Sequence, residues 1–498
     1  MGKIKRLLLN TGVSFFSQVI ILIFGFIIPR IIMRYYGSDT NGLTSTITQI
    51  FTYMALLEAG ISQATRNKLF KPIKEDNKSE ISYWLSISRR YFRKISIIYL
   101  LIVSLLSVVL PFVFNTDVGY WTIAFYILFE GLTSVVSFYF INTWVSFLNS
   151  KGDTYVVNGL TLLNKVLCYG VKIVLVLHGI NIALIQVGYF LVSILQVILY
   201  YMYMKKKYSW INYSMPVKDA VLPDRKSYII IEIAWTIFSS TDMILLSIFV
   251  STKISSVYSV YSLPYIALNG LLNAVYCALN YNLGIEYHKD IEKYKKLHDM
   301  FNSIFFGAMT VLMAVTYILM IPFVKLYTND ITDVNYIYPI LPLLFCIIQL
   351  LSWGRYVSGN LLGVAGRIKP AVKINIIEAL MNLFLSLILI KKYGIVGVLV
   401  ATVFALPIKF IYCNYVADKI ILKRSMKKTI LILGSNILLF FGTILISNFL
   451  KLKILNFTSF IIYGVVIFLI ILIVSILLNI VVNKDLLNFK EIIKRGRK

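Results

Sequence analysis

The stretch TSFIIYGVVIFLIILIVSILLNIVV, residues 458–482, carries no charged side chain and is long enough to cross a lipid bilayer as one α-helix. A chain in hydrocarbon must satisfy its own backbone N–H and C=O groups, and a helix does so within a single segment. Similar apolar runs recur from one end of the sequence to the other. Their spacing predicts about fourteen membrane helices, over 11–35, 42–64, 95–114, 120–148, 154–177, 182–204, 228–250, 255–283, 301–324, 337–364, 372–391, 395–417, 430–449 and 458–482. The expected fold class is an all-α polytopic membrane protein.

Composition leads to the same class. Of 498 residues, 59% are hydrophobic and 14% charged, against about 25% charged in a soluble domain. No connection between apolar runs is long enough for a separate globular domain. Cys168, Cys277, Cys346 and Cys413 sit inside apolar runs without CxxC spacing and read as buried thiols. His178, His288 and His298 read as loop residues with no HExxH pattern, so neither a metal site nor a metal hydrolase is supported. The basic segment Met1 to Arg6 leads into an apolar run lacking a small-residue cleavage site, and reads as the start of a retained first helix.

Lysine and arginine set the orientation. One group of connections holds Arg66, Lys71, Lys78, Arg89, Arg93, Lys205 to Lys207, Lys293, Lys295, Arg367, Lys423, Arg424 and Lys428, and the tail adds Lys494, Arg495 and Lys498. The opposite group carries only Lys253, Lys325, Lys391, Lys392, Lys451 and Lys453. This asymmetry places both termini in the cytoplasm of a multi-pass protein. It also accounts for the formal charge of +27, which faces anionic membrane lipids rather than nucleic acid. Tyr83 to Lys94 and Leu486 to Lys498 mix apolar and basic residues and read as helices lying in the cytoplasmic interface.

Two parts of the chain resemble each other. Gly152-Asp153-Thr154 opens the fifth run and His178-Gly179-Ile180 follows it; Gly366-Arg367-Ile368 opens the eleventh and Tyr393-Gly394-Ile395 follows that, at an offset of about 215 residues. The chain then divides into a first lobe of six helices (1–204), a basic linker (205–227), a second lobe of six (228–417), two extra helices (418–482) and a basic tail (483–498). An even number of spans between the copies makes them a parallel, pseudo-symmetric repeat.

The residues Asn10-Thr11, Gln18, Pro29-Arg30, Tyr35-Tyr36-Gly37-Ser38-Asp39, Asn41-Gly42-Leu43, Leu56-Leu57-Glu58-Ala59-Gly60 and Lys71-Pro72 carry a family pattern. They resemble the amino-terminal region of the polysaccharide transporter family, the oligosaccharide flippases of the multidrug/oligosaccharidyl-lipid/polysaccharide (MOP) superfamily. Ser240-Thr241-Asp242, Tyr258-Ser259 and Asn269-Gly270-Leu271 are similar to the start of that family's second half. The resemblance implies two six-helix lobes of the MATE kind around a central cavity, working by alternating access in the bacterial cytoplasmic membrane. It implies an undecaprenyl-pyrophosphate oligosaccharide as cargo for capsule, exopolysaccharide or O-antigen synthesis, and no covalent chemistry, hence no enzyme. Polysaccharide polymerase and export machinery are the partners it suggests.

Ionisable side chains inside the spans are the candidate site, because each costs several kcal/mol at the bilayer centre unless it meets water or a partner. The first half offers Arg30, Glu58, Glu130, Lys165 and Lys172; the second offers Asp242, Arg355, Glu378 and Lys409. Lys165 and Lys172 lie two turns apart on one helix face, where they hold a pyrophosphate or acidic sugar, or else Lys172 snorkels outward. Arg355 either forks onto phosphate oxygens or pairs with Asp242 or Glu378. Lys409 follows Pro407, which frees a backbone carbonyl beside it. Arg30 divides between a gate at Pro29 and the headgroups. Asp242 is read as a proton- or sodium-coupling carboxylate or a partner of a cavity cation, and Glu58 as a helix-to-helix contact; Glu130 and Glu378 are less constrained. No cofactor is called for. The competing readings are a peptidoglycan lipid-precursor flippase, a MATE-type exporter, which a basic cavity disfavours, and, remotely, a membrane-bound glycan polymerase.

Overall fold

The structure is a computed structural model that describes residues 3–216, 240–447, 449 and 452–488. The expectations for the end of the linker, for 228–239 of the seventh helix and for the tail beyond 488 lie outside the described residues, as do the side chains of Cys277 and His288. All regular structure among the described residues is helical. The chain splits into two compact units, Met1–Ser256 and Val257–Lys498.

The first unit begins with α1 (Lys3–Lys74), which bends at Gly37, where φ is 81° and ψ is 170°. That combination is open to glycine and costly for any residue with a Cβ. Side-chain contacts show that the bend reverses the chain. Asn10 donates to the Gly152 carbonyl at 3.0 Å and accepts from the Tyr155 N–H at 2.7 Å, at the start of α5 (Thr154–Leu177). Tyr36 donates to the Ile180 carbonyl, just past the other end of α5. After the bend, Asp39 accepts from Thr116 and from the Asp117 N–H, beyond the end of α2 (Lys78–Val113). Thr65 in turn meets Ser88 near the start of α2. Residues 3–36 therefore run parallel to α5, and 38–74 run antiparallel to α2. The chain returns through α3 (Tyr120–Val136), a π-helical stretch Ser137–Ile141 and α4 (Asn142–Lys151), and later through α6 (Ile182–Lys207).

The same unit also holds α7 (Ser240–Phe249) and the first residues of α8 (Thr252–Lys289). Small polar side chains fasten them to α1: Thr46 to Ser247 at 2.5 Å, Asn41 to Ser256 at 2.7 Å, and Thr252 to Asp39. Gly42 makes this approach possible, since a Cβ there would overlap the Thr252 carbonyl. Leu43, Ile47, Phe51, Tyr99, Ile123, Ile127 and Ile185 form the core beneath. Leu101, Leu105, Phe112, Leu184 and Leu191 point outward and are exposed, as befits helices whose solvent is lipid.

The second unit continues along α8 and is built round α9 (Ile291–Tyr327), with α10 (Leu341–Trp353), α11 (Tyr356–Val364) and α12 (Ile368–Tyr415). The long α12 bends at Gly394, with φ 52° and ψ −128°. Asn382 donates to Thr402 at 2.7 Å across the two arms of the bend, so the arms lie side by side. The last helices, α13 (Lys427–Ser447) and α14 (Phe457–Val482), pack on α9. Asn436 and Asn479 exchange amide hydrogen bonds at 3.0 and 3.1 Å, and Asn483 donates to Ser303 at 3.1 Å. Buried amides of this kind hold helices together where hydrophobic attraction between them is weak.

Ten helices among the described residues are long and apolar enough to cross a membrane, which makes this a multi-pass membrane protein. Fourteen were expected. The spans 11–35 and 42–64 lie on one helix bent at Gly37, and 372–391 and 395–417 on one bent at Gly394. Three local expectations also change. The span 337–364 is broken at Gly354–Arg355 into α10 and α11. Tyr83 to Lys94 is not a separate helix but continues α2, and buries Leu85, Ser86, Ile87, Ser88 and Phe92 against the protein. His298 lies inside α9 and is fully buried, not in a loop.

Candidate functional site

In the first unit, helical spacing brings the two lysines of α5 together with partners from α3 and α6. Lys165 donates to the Tyr189 hydroxyl at 3.0 Å, and Lys172 approaches the Tyr126 hydroxyl at 3.5 Å. Both ammonium groups lie over tyrosine rings. Lys165 is 5.6 Å from the centre of Tyr169 and 5.8 Å from that of Tyr189; Lys172 is 5.7 Å from Tyr126 and 5.9 Å from Tyr189. The negative face of an aromatic ring steadies a cation that has lost water. Glu130 on α3 is the carboxylate that acts electrostatically on both lysines, and it accepts a hydrogen bond from Gln186 on α6. Lys172 is 8% exposed and Gln186 fully buried. Lys172 thus lies among the tyrosines, and the outward-snorkelling alternative is set aside.

The second unit builds a comparable group from different elements. Arg355, in the break between α10 and α11, forms a buried ion pair with Glu378 on α12. Lys409, on the other arm of α12, lies 3.7 Å from the second oxygen of Glu378. The break itself is held by Asn414, which donates to the Gly354 carbonyl at 3.1 Å and accepts from Ser358 at 2.7 Å. Of the two partners foreseen for Arg355, Glu378 is the one it takes. The second unit therefore holds two basic side chains on one carboxylate, and the first holds two lysines with Glu130 in their electrostatic surroundings, arrangements with formal positive charge to spare inside a membrane protein.

The other candidates lie on α1 and α7. Glu58 accepts from Asn142 on α4 and from Ser62 at 3.3 Å, a contact between α1 and α4. Asp242 is buried on α7, next to the Tyr53–Thr241 hydrogen bond that ties α7 to α1. Arg30 is half-buried on α1, directly after Pro29.

One ionic network escaped the sequence reading. Arg424 bonds Asp299 at 2.5 Å and Asp418 at 2.8 Å, and Lys428 reaches Asp485 at 2.7 Å and Asp299 at 3.4 Å. Burial opposes the charge on Arg424, yet Asp299 and Asp418 hold its guanidinium above its ordinary value. Arg424 also donates to Nδ1 of His298 at 3.1 Å, and His298 Nε2 lies 3.3 Å from Ser358. The only sequence signal was acidic residues, Asp299 and Asp418, at the ends of apolar runs.

No family model matches the chain, and no curated protein does. Solved structures match well. The chain is similar to the lipid II flippase MurJ in an inward closed conformation, with a TM-score of 0.70 and 14% identity over 96% of this chain and 100% of that one. It is similar to an inward-facing multidrug resistance MATE family transporter of the MOP superfamily, with a TM-score of 0.62 and 13% identity over 82% and 98%. The multidrug transporter DinF-BH, solved in complex with R6G, gives a TM-score of 0.60 and 15% identity over 84% and 95%. These three proteins are transporters and flippases rather than enzymes. At such identities the likeness is one of architecture: the chain has the fold of the MOP-superfamily transporters.

Proposed function

We propose that the protein is a flippase that moves an undecaprenyl-pyrophosphate-linked oligosaccharide repeat unit from the inner to the outer leaflet of the cytoplasmic membrane, for capsule, exopolysaccharide or O-antigen synthesis. It does so by alternating access, with fourteen crossings once the two arms at Gly37 and at Gly394 are counted separately and α7 and α8 are added to the ten spans, and with both termini in the cytoplasm. The observation that carries this reading is the pair Lys165 and Lys172 over the rings of Tyr126, Tyr169 and Tyr189. Two ammonium groups held away from water attract a compact anion far more strongly than a sugar hydroxyl, and a pyrophosphate is such an anion. Arg355 and Lys409 supply a second basic group on Glu378. A site for cationic drugs would need the opposite sign, which disfavours a MATE-type exporter. Asp242 and Glu58 are the carboxylates proposed to answer a proton or sodium gradient.

A second reading is a peptidoglycan lipid-precursor flippase. The similarity to MurJ over nearly the whole chain favours it, and a pyrophosphate-bearing cargo would use the same lysines. Deleting the gene and identifying the lipid-linked saccharide left on the inner leaflet separates the two. The double variant Lys165→Gln/Lys172→Gln, present in the membrane at normal level, is expected to reproduce that accumulation. Normal export by this variant would end the cationic-site reading.

A further inference from the structure

On α2, Ser82, Ser86, Arg89 and Arg93 follow one another along a single helix face. The segment after α6 lies along the first half of that face. The Asn212 N–H donates to Ser82 at 3.2 Å, Ser86 donates to the Asn212 carbonyl at 3.1 Å, and the Met215 N–H donates to Ser86 at 3.3 Å. This fixes Tyr213 beside Arg89, whose guanidinium carbon is 4.9 Å from the ring centre. One turn further, Arg93 stacks in the same way on Tyr139 of the π-helical stretch, at 4.7 Å. Two half-buried guanidiniums thus lie a helical turn apart, each backed by a tyrosine. Among the described residues neither has an ion pair, and Arg93 Nε is buried without a hydrogen-bond partner.

Like charges at this spacing on a helix repel, and a stacked arginine still presents the N–H groups in the plane of its fork. The arrangement is therefore one ligand short, and the ligand is an anion with acceptors enough for two forks. It stands towards the end of the first unit that also carries Lys74, Lys78, Lys151 and Lys207.

We propose that Arg89 and Arg93, held by Tyr213 and Tyr139, bind a diphosphate group. This rests on the flippase reading only for its biological sense, as a station that meets the headgroup of a lipid-linked saccharide apart from Lys165 and Lys172. The binding itself is independent of that reading.

The test uses the full chain in nanodiscs of phosphatidylcholine and measures the affinity for inorganic pyrophosphate. Measured in the Lys165→Gln/Lys172→Gln background, which removes the other basic pair of the first unit, Arg89→Gln/Arg93→Gln is expected to weaken it by about tenfold or more. Should the double glutamine variant fail to fold, Arg89→Lys/Arg93→Lys decides, with an expected loss of about threefold or more as the forks go while the charges stay. Adding undecaprenyl pyrophosphate to the nanodiscs distinguishes the source. Competition with inorganic pyrophosphate identifies a lipid headgroup, and unaltered binding identifies a free phosphate ligand. Pyrophosphate binding that is absent in the parent, or unchanged in both arginine variants, overturns the site. Normal transport by the lysine variant would overturn the cationic-site reading of Lys165 and Lys172 and leave this site standing.

Discussion

Arg355, at the break between α10 and α11, is joined to Glu378 of α12 by an ion pair in which both side chains are buried. The pair explains why an apolar span gives way at that point. An arginine inside a continuous helix would have to bring its fork to a neighbouring helix by side-chain reach alone, whereas the interrupted backbone turns it there. Lys409 shares the carboxylate, so Glu378 is the counter-ion of two cations and leaves one positive charge over.

Removing Glu378 should therefore cost more than removing either base. Glu378→Gln leaves a buried arginine without its counter-ion beside a lysine, a situation worth about 3–5 kcal/mol of destabilisation. Lys409→Gln leaves the stronger pair intact and should cost about 1 kcal/mol. Thermal unfolding in one detergent, read for both variants against the parent, checks the order. Equal midpoints would mean that Glu378 has no structural part.

Arg424 gives the reciprocal case. Asp299 and Asp418 flank it and are themselves buried, so Arg424→Gln strands Asp418, leaves Asp299 to Lys428 alone at 3.4 Å, and should destabilise by about 3–5 kcal/mol. Adding Asp299→Asn removes one of the two weakened charges. The double variant should then recover part of the loss, giving a measurable coupling in a double-mutant cycle. Strict additivity would argue that the network does not act as a unit.

Two glycines should respond in opposite senses. Gly42→Ala forces a methyl group into the Thr252 carbonyl and must separate α1 from the start of α8, at a cost of about 1–3 kcal/mol. Gly434 lies within α13 with nothing near a new Cβ. Gly434→Ala should stabilise by about 0.5–1 kcal/mol through helix propensity. Chemical denaturation of the two variants under identical conditions tests the contrast.

The parts of the molecule legible in the sequence are those set by local physics. The span expected over 154–177 coincides with α5 because Asp153 and His178 bound a predominantly apolar run. The seven-residue spacing of Lys165 and Lys172 sufficed to put both on one face. Their partners were not legible, because Tyr126, Glu130, Tyr189 and Gln186 come from α3 and α6 and the choice among polar residues is tertiary. The same holds for Arg355: its spacing placed it deep in a span, but only the packing of α12 selects Glu378 and breaks the helix. Arg89 and Arg93 read as surface charges, since nothing local announces that Tyr139 and Tyr213 lie over them. Gly37 and Gly394 were visible as interruptions, while the continuation of helical structure on both sides of each required the backbone itself.

Tyr189 offers the most discriminating test of the first unit's basic group. Its hydroxyl accepts from Lys165 at 3.0 Å, and its ring centre lies within reach of both lysines, at 5.8 and 5.9 Å. Tyr189→Phe removes only the hydroxyl and should cost about 1 kcal/mol of stability, with a modest loss of transport because the ring still faces both cations. Tyr189→Leu removes the ring as well, giving up about 0.5–2 kcal/mol of cation–π attraction at each lysine. If the tyrosine positions these charges for an anion, the leucine variant should approach the export defect of Lys165→Gln/Lys172→Gln while the phenylalanine variant stays near the parent. Comparable transport by the leucine variant and the parent would show that the lysines need no aromatic support to act.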